Sequence, residues 1–122
     1  MVPLPASEND LVLLHNPRCS KSRAVRALLE ERGIAVRERL YLEEPLALAE
    51  LRDLAGRLGE APSRWLRRGE AALREAGLPD DADEDTILGA MARHPILIER
   101  PILVRGARAI VGRPPERVLE LL

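Results

Sequence analysis

Leu11-Val12-Leu13-Leu14-His15-Asn16-Pro17-Arg18-Cys19-Ser20-Lys21-Ser22-Arg23 is the stretch on which the fold of this chain turns. The four apolar residues Leu11 to Leu14 have the length and composition of a short buried strand, which ends near His15. From Lys21 to Arg32, Val25, Leu28 and Leu29 fall at the i, i+3, i+4 spacing of a helix face, and Gly33 stands where a helix C-terminus favours it. The segment reads as a strand, a tight turn and a helix, with Cys19 at the junction.

Downstream, Ile34 to Tyr41 alternates apolar and charged residues, as a second strand leading into the Glu43-Glu44-Pro45 turn would. Three helical patterns follow. Leu46, Leu48, Leu51, Leu54 and Leu58 mark one, Trp65 to Ala76 a second closing at Gly77, and Asp85 to Arg93 a third closing at His94-Pro95. Ile102-Leu103-Val104 and Ala109-Ile110-Val111 flank the turn Arg105-Gly106-Ala107 and predict a hairpin, and Pro114-Pro115 opens a last helix over Glu116 to Leu122. The order β-α-β, helical block, β-β-α predicts an α/β sandwich on a mixed four-stranded sheet. The helical insertion at about 46–94 lies between the second and third strands, and no linker flanks it, so residues 11–122 are expected to be a single domain. Met1 to Asp10, with two prolines among Ser, Asn and Asp, reads as a flexible arm.

Length and composition narrow the function. A chain of 122 residues supports one hydrophobic core, and with 46% apolar residues but 2% aromatics and no Phe that core must be aliphatic, Trp65 and Tyr41 excepted. Charged residues make up 32% and nearly cancel to −1, so neither nucleic acid nor a membrane surface is an expected partner. No apolar run approaches the roughly 20 residues of a membrane helix, and residues 1–10 lack the pattern of a secretion signal; the expected location is the cytoplasm. One cysteine cannot close an internal disulfide, and with two histidines it is too small a ligand set for structural zinc, so no metal is expected.

Cys19 can be an inert buried cysteine, the ordinary fate of a lone thiol, or a reactive one. Its place at a helix N-terminus directs free N–H groups and partial positive charge at the turn, which is a natural anion site. With Arg18, Lys21 and Arg23 close by, the thiol is expected below its usual value of about 8.5, toward the roughly 3.5 to 7.5 of activated cysteines. The same basic residues also suit the solvated first turn of an amphipathic helix. His15 and Ser22 can tune the thiolate by charge or hydrogen bond.

The motif His15-Asn16-Pro17-x-Cys19-x-x-Ser22-Arg23 resembles the active-site motif of the glutaredoxin-dependent arsenate reductases. The resemblance continues through His94-Pro95-Ile96-Leu97-Ile98-Glu99-Arg100-Pro101-Ile102 and Gly112-Arg113-Pro114, with Leu42-Glu43-x-Pro45 and a Leu66-Arg67-Arg68 helix as further landmarks. It covers about Leu11 to Leu122 and implies a thioredoxin-like fold. It further implies that Cys19 is the nucleophile toward arsenate, that Arg67, Arg100 and Arg113 hold the oxyanion, and that Pro101 follows a cis peptide bond. Bidentate guanidinium groups suit a tetrahedral oxyanion. The implied reductants are glutathione as co-substrate and glutaredoxin as protein partner, with no bound cofactor.

Two other readings stand beside this one: a glutathione-linked thiol oxidoreductase with another substrate, and a non-enzymatic regulator of the Spx type that binds RNA polymerase. The Spx-type proteins commonly carry a second cysteine three residues after the first, where this chain has Ser22.

Overall fold

In the computed structural model, which describes all 122 residues, the chain forms two compact units, Met1–Glu44 with Arg100–Leu122, and Pro45–Glu99. The first holds the sheet. Strand β1 (Leu11–Leu14) leads to helix α1 (Ser20–Glu31), then come β2 (Arg37–Arg39), β3 (Ile102–Arg105) and β4 (Arg108–Val111). The sheet has four strands in the order β2-β1-β3-β4. β2 runs parallel to β1, whereas β3 is antiparallel to both β1 and β4. The expected mixed sheet is therefore present.

β1 is the buried strand its apolar run requires: Val12, Leu13 and Leu14 lose nearly all contact with water. Leu13 joins Val25, Leu29, Leu103, Val118 and Leu121 in one aliphatic cluster that fastens α1 and the C-terminal turn to the sheet. α1 ends at Gly33, whose φ of 66° lets its N–H reach Glu30 O and the Ile34 N–H reach Leu29 O.

Three elements differ from the sequence pattern. β2 is confined to Arg37–Arg39, because β1 offers it a partner only at Val12, Leu13 and Leu14. The C-terminal segment Pro115–Leu121 is a 3₁₀ helix. Three residues per turn put Val118 and Leu121 on one face, and both are buried. In the second unit, the helix expected over Trp65 to Ala76 survives only as α3 (Ala71–Ala76). Leu66 instead bridges Ile98, with the Arg67 N–H donating to Leu97 O and the Glu99 N–H to Trp65 O.

The second unit otherwise follows its pattern. α2 (Leu48–Leu58) and α4 (Glu84–Arg93) bury Leu51, Leu54, Ile87, Leu88 and Met91. Asp83 caps α4 by accepting the Thr86 N–H at 2.8 Å. No helix is long and apolar enough to cross a membrane. Residues 1–10 contain no helix or strand. They are tied to the sheet unit: Asp10 pairs with Arg37, Glu8 with Arg105 and Arg108, and the Val2 carbonyl accepts from Arg39.

Candidate active site

The turn between β1 and α1 is built by its own polar groups. The Cys19 N–H donates to Asn16 O at 3.0 Å, and the Arg18 N–H donates to Asn16 Oδ1 at 3.0 Å. Asn16 thus closes the turn with backbone and side chain together. Arg23 reaches back past the start of α1 to donate to Pro17 O at 2.9 Å. The Ser22 hydroxyl, fully buried, accepts the Asn16 N–H at 3.0 Å and shares a 2.7 Å hydrogen bond with His15 Nδ1. His15 is itself buried, and its N–H donates to Arg39 O, which anchors the start of the turn on β2.

Cys19 is the N-cap residue of α1, with φ −94° and ψ 124°, and is 8% exposed. Burial, the largest single influence on its thiol, pushes the pKa up. The backbone N–H groups of Ser22 and Lys21 and the charge and hydrogen bond of Arg100 together outweigh it, so the thiol lies below its ordinary value. No cap hydrogen bond to the neutral thiol is formed; the helix amides act on the anion. Ser22 therefore reaches the sulfur through its backbone, while its hydroxyl is turned to His15 and Asn16. The His15 pKa is lowered, first by burial; Glu38 opposes this, and Arg26 and Arg23 add to it. The imidazole is favoured in its neutral form.

Sheet topology explains why Arg100 meets a cysteine so distant in sequence. β3 is antiparallel to β1, and Ile102 pairs with Leu14, so the two residues before Ile102 arrive at the end of the sheet where β1 gives way to the turn. The Arg100–Pro101 bond is cis, as is Arg113–Pro114. Gly112 sits against this corner and donates its N–H to Pro101 O at 2.9 Å, which brings the half-buried Arg113 next to the Arg100–Pro101 backbone. Arg67 belongs to the other unit, where it pairs with Glu70 and Glu99 and donates to Ile96 O.

Sequence pattern alone missed two features. Arg39, one of the charged residues of an alternating strand, is fully buried and donates to Glu44 O, Val2 O and Met1 Sδ. The turn expected after the second strand is closed by the Glu43 and Glu44 N–H groups on Leu40 O, and its place beside the Cys19 turn is the feature that the sequence pattern did not indicate.

The ArsC family model matches residues 14–121. An arsenate reductase of Neisseria meningitidis is 46% identical over 115 residues, which cover 93% of this chain and 98% of that protein. An arsenate reductase of Haemophilus influenzae is 40% identical over 114 residues, covering 92% and 98%. The solved arsenate reductase of Vibrio cholerae superposes with a TM-score of 0.88 at 43% identity, over 97% of this chain and all of that one. The architecture is thioredoxin-like.

Proposed function

The chain belongs to the ArsC family, and from that membership we propose that it reduces arsenate to arsenite with glutathione and glutaredoxin as reductants. The observation that carries the reading is the Cys19 sulfur, held toward its thiolate by two helix amides and the Arg100 guanidinium. The thiolate attacks arsenic(V), forming an S–As bond as one arsenate hydroxyl takes up a proton and leaves as water. Glutathione thiolate then attacks the Cys19 sulfur. The S–As bond breaks with its electron pair on arsenic, which becomes arsenic(III) and departs as arsenite. Cys19 remains as a mixed disulfide, and glutaredoxin returns it to the thiol. With one cysteine in the chain, both reducing equivalents come from outside.

Arg100 and Arg113 are the proposed oxyanion ligands at this corner, each able to present a planar fork to a tetrahedral anion. Arg67 enters the set on its motif alone. The proposed setting is the cytoplasm, where the thiol pool keeps Cys19 reduced, and the reaction as proposed uses no bound cofactor.

A coupled assay with arsenate, glutathione, glutaredoxin and NADPH tests this. The expected result is arsenite formation that is lost in Cys19→Ser, with one glutathione on the Cys19 peptide during turnover. Lysine at Arg100 or Arg113 should slow it through loss of the fork. Arsenite production with the Cys19 peptide unmodified would refute the mechanism.

A further inference from the structure

A cavity of about 330 Å³ lies beside the Cys19 turn, walled by His15, Asn16, Pro17 and Arg18 on one side and by Leu40, Leu42 and Glu43 on the other. Its size falls at the lower end of the roughly 300–1,000 Å³ of small-molecule sites. The walls are preformed. Asn16 holds the first through its two turn hydrogen bonds, and the second is a closed turn anchored by buried Tyr41 and by Arg39 on Glu44 O. The lining is mostly apolar, with Pro17, Leu40 and Leu42 forming a greasy surface; His15 and Asn16 are polar, Arg18 brings a cation and Glu43 a carboxylate. That combination fits a small zwitterionic molecule with a short apolar middle.

Position adds the second argument. β1 is flanked by β2 on one side and β3 on the other. Arg100 approaches the sulfur from the β3 side, whereas the Leu40–Glu43 turn leaves β2 on the opposite side. A thiolate attacking the Cys19 sulfur must enter opposite the bond that breaks. An oxyanion held by Arg100 therefore leaves the β2 flank as the side from which the second thiol enters.

We propose that this cavity is the binding site of the reducing co-substrate, a small zwitterionic peptide thiol of the glutathione type, with a carboxylate on Arg18 and an ammonium on Glu43. The proposal rests on the arsenate-reductase reading for its direction of attack. In the step it serves, the bound thiol enters as thiolate, having lost its proton to solvent. Its sulfur bonds to Cys19 Sγ, and the S–As electron pair stays on arsenic.

The test is an amide NMR titration of the full reduced chain with S-methylglutathione, which binds without reacting. Perturbations should gather at Asn16–Arg18 and Leu40–Glu43. Leu42 is 39% exposed and Arg18 is exposed, so both can be changed without disturbing the core. Arg18→Gln, which removes one solvent-facing ion pair, should weaken binding about threefold. Leu42→Glu, which removes apolar contact and adds repulsion, should weaken it about tenfold. In the coupled assay, both should raise the KM for glutathione and leave that for arsenate unchanged. Perturbations gathered at Arg100–Ile102 and Gly112–Arg113, or none by roughly 20 mM ligand, well past a millimolar dissociation constant, would overturn the proposal. Binding at the cavity without arsenate turnover would support the site and refute the arsenate reading; turnover with the ligand elsewhere would refute the site alone.

Discussion

An alanine at Gly112 would test how tightly the corner beneath the sulfur is packed. Its Cβ would lie 2.9 Å from Val25 Cγ2, 3.0 Å from Val118 Cγ1 and 3.3 Å from Pro101 Cγ. Relaxed carbon contacts stand at about 3.5–4.0 Å, so the added methyl must push three neighbours at once. Two of them are fully buried valines, whose branched side chains have little rotamer freedom. Overpacking of this kind costs about 1–3 kcal/mol. For a chain of this length that is a fall of roughly 5–15 °C in Tm. Displacement of Pro101 would also carry Arg100 off the sulfur, so the proposed glutathione-dependent turnover should drop at temperatures where the variant is fully folded. Gly56→Ala is the control: Gly56 lies inside α2, where an added methyl would meet no atom within 4 Å, and alanine there should stabilise by about 1 kcal/mol. Thermal unfolding followed by circular dichroism reads both. A Gly112→Ala protein that melts at or above the parent temperature, while Gly56→Ala behaves as expected, would refute the packing argument.

Three further outcomes can be checked. Because the Cys19 pKa is depressed in the fold, its thiolate contributes stability above the unfolded thiol value of about 8.5, and that contribution is lost as pH falls through the folded value. Iodoacetamide alkylation against pH should accordingly show a midpoint below that of free cysteine, and Arg100→Met should move it up; an unmoved midpoint would remove Arg100 from the site. Ser22→Ala deprives both His15 Nδ1 and the Asn16 N–H of a partner. It should cost about 1–3 kcal/mol, read as a lower urea midpoint, and an unchanged midpoint would count against the His15-Ser22-Asn16 network. His15 has its pKa lowered by burial, so below about 6.5 the unfolded chain binds the proton more readily and stability falls toward acid until the folded value is passed. His15→Gln should flatten that part of the urea midpoint's pH dependence, and an equal slope in parent and variant would contradict it.

Arg39 shows how far local pattern reaches. Alternation correctly marked its segment as a strand, but whether a charged side chain faces water depends on what the rest of the chain lays over it, here the Val2 carbonyl, Met1 and the Glu44 carbonyl. Trp65 to Glu70 teaches the same point from the other side. Its apolar spacing suits a helix, yet the backbone bonds it forms with residues 97–99 are non-local and leave no trace in a window of adjacent residues.

Signals carried within a few residues were legible from the sequence alone. These were the apolar run of β1, the periodicity of α1 to within a residue at each end, the glycine that ends it, the 102–111 hairpin and the placing of Cys19 on a helix N-terminus. Each rests on backbone geometry and burial that neighbouring residues dictate. Only the tertiary structure decided what surrounds that sulfur. Arg100 reaches it because β3 pairs antiparallel with β1, and the Leu40–Glu43 wall stands beside it because β2 pairs parallel on the other flank. The partners of a reactive group are set by strand order and register, and those follow from the burial of whole faces against one another rather than from any one segment.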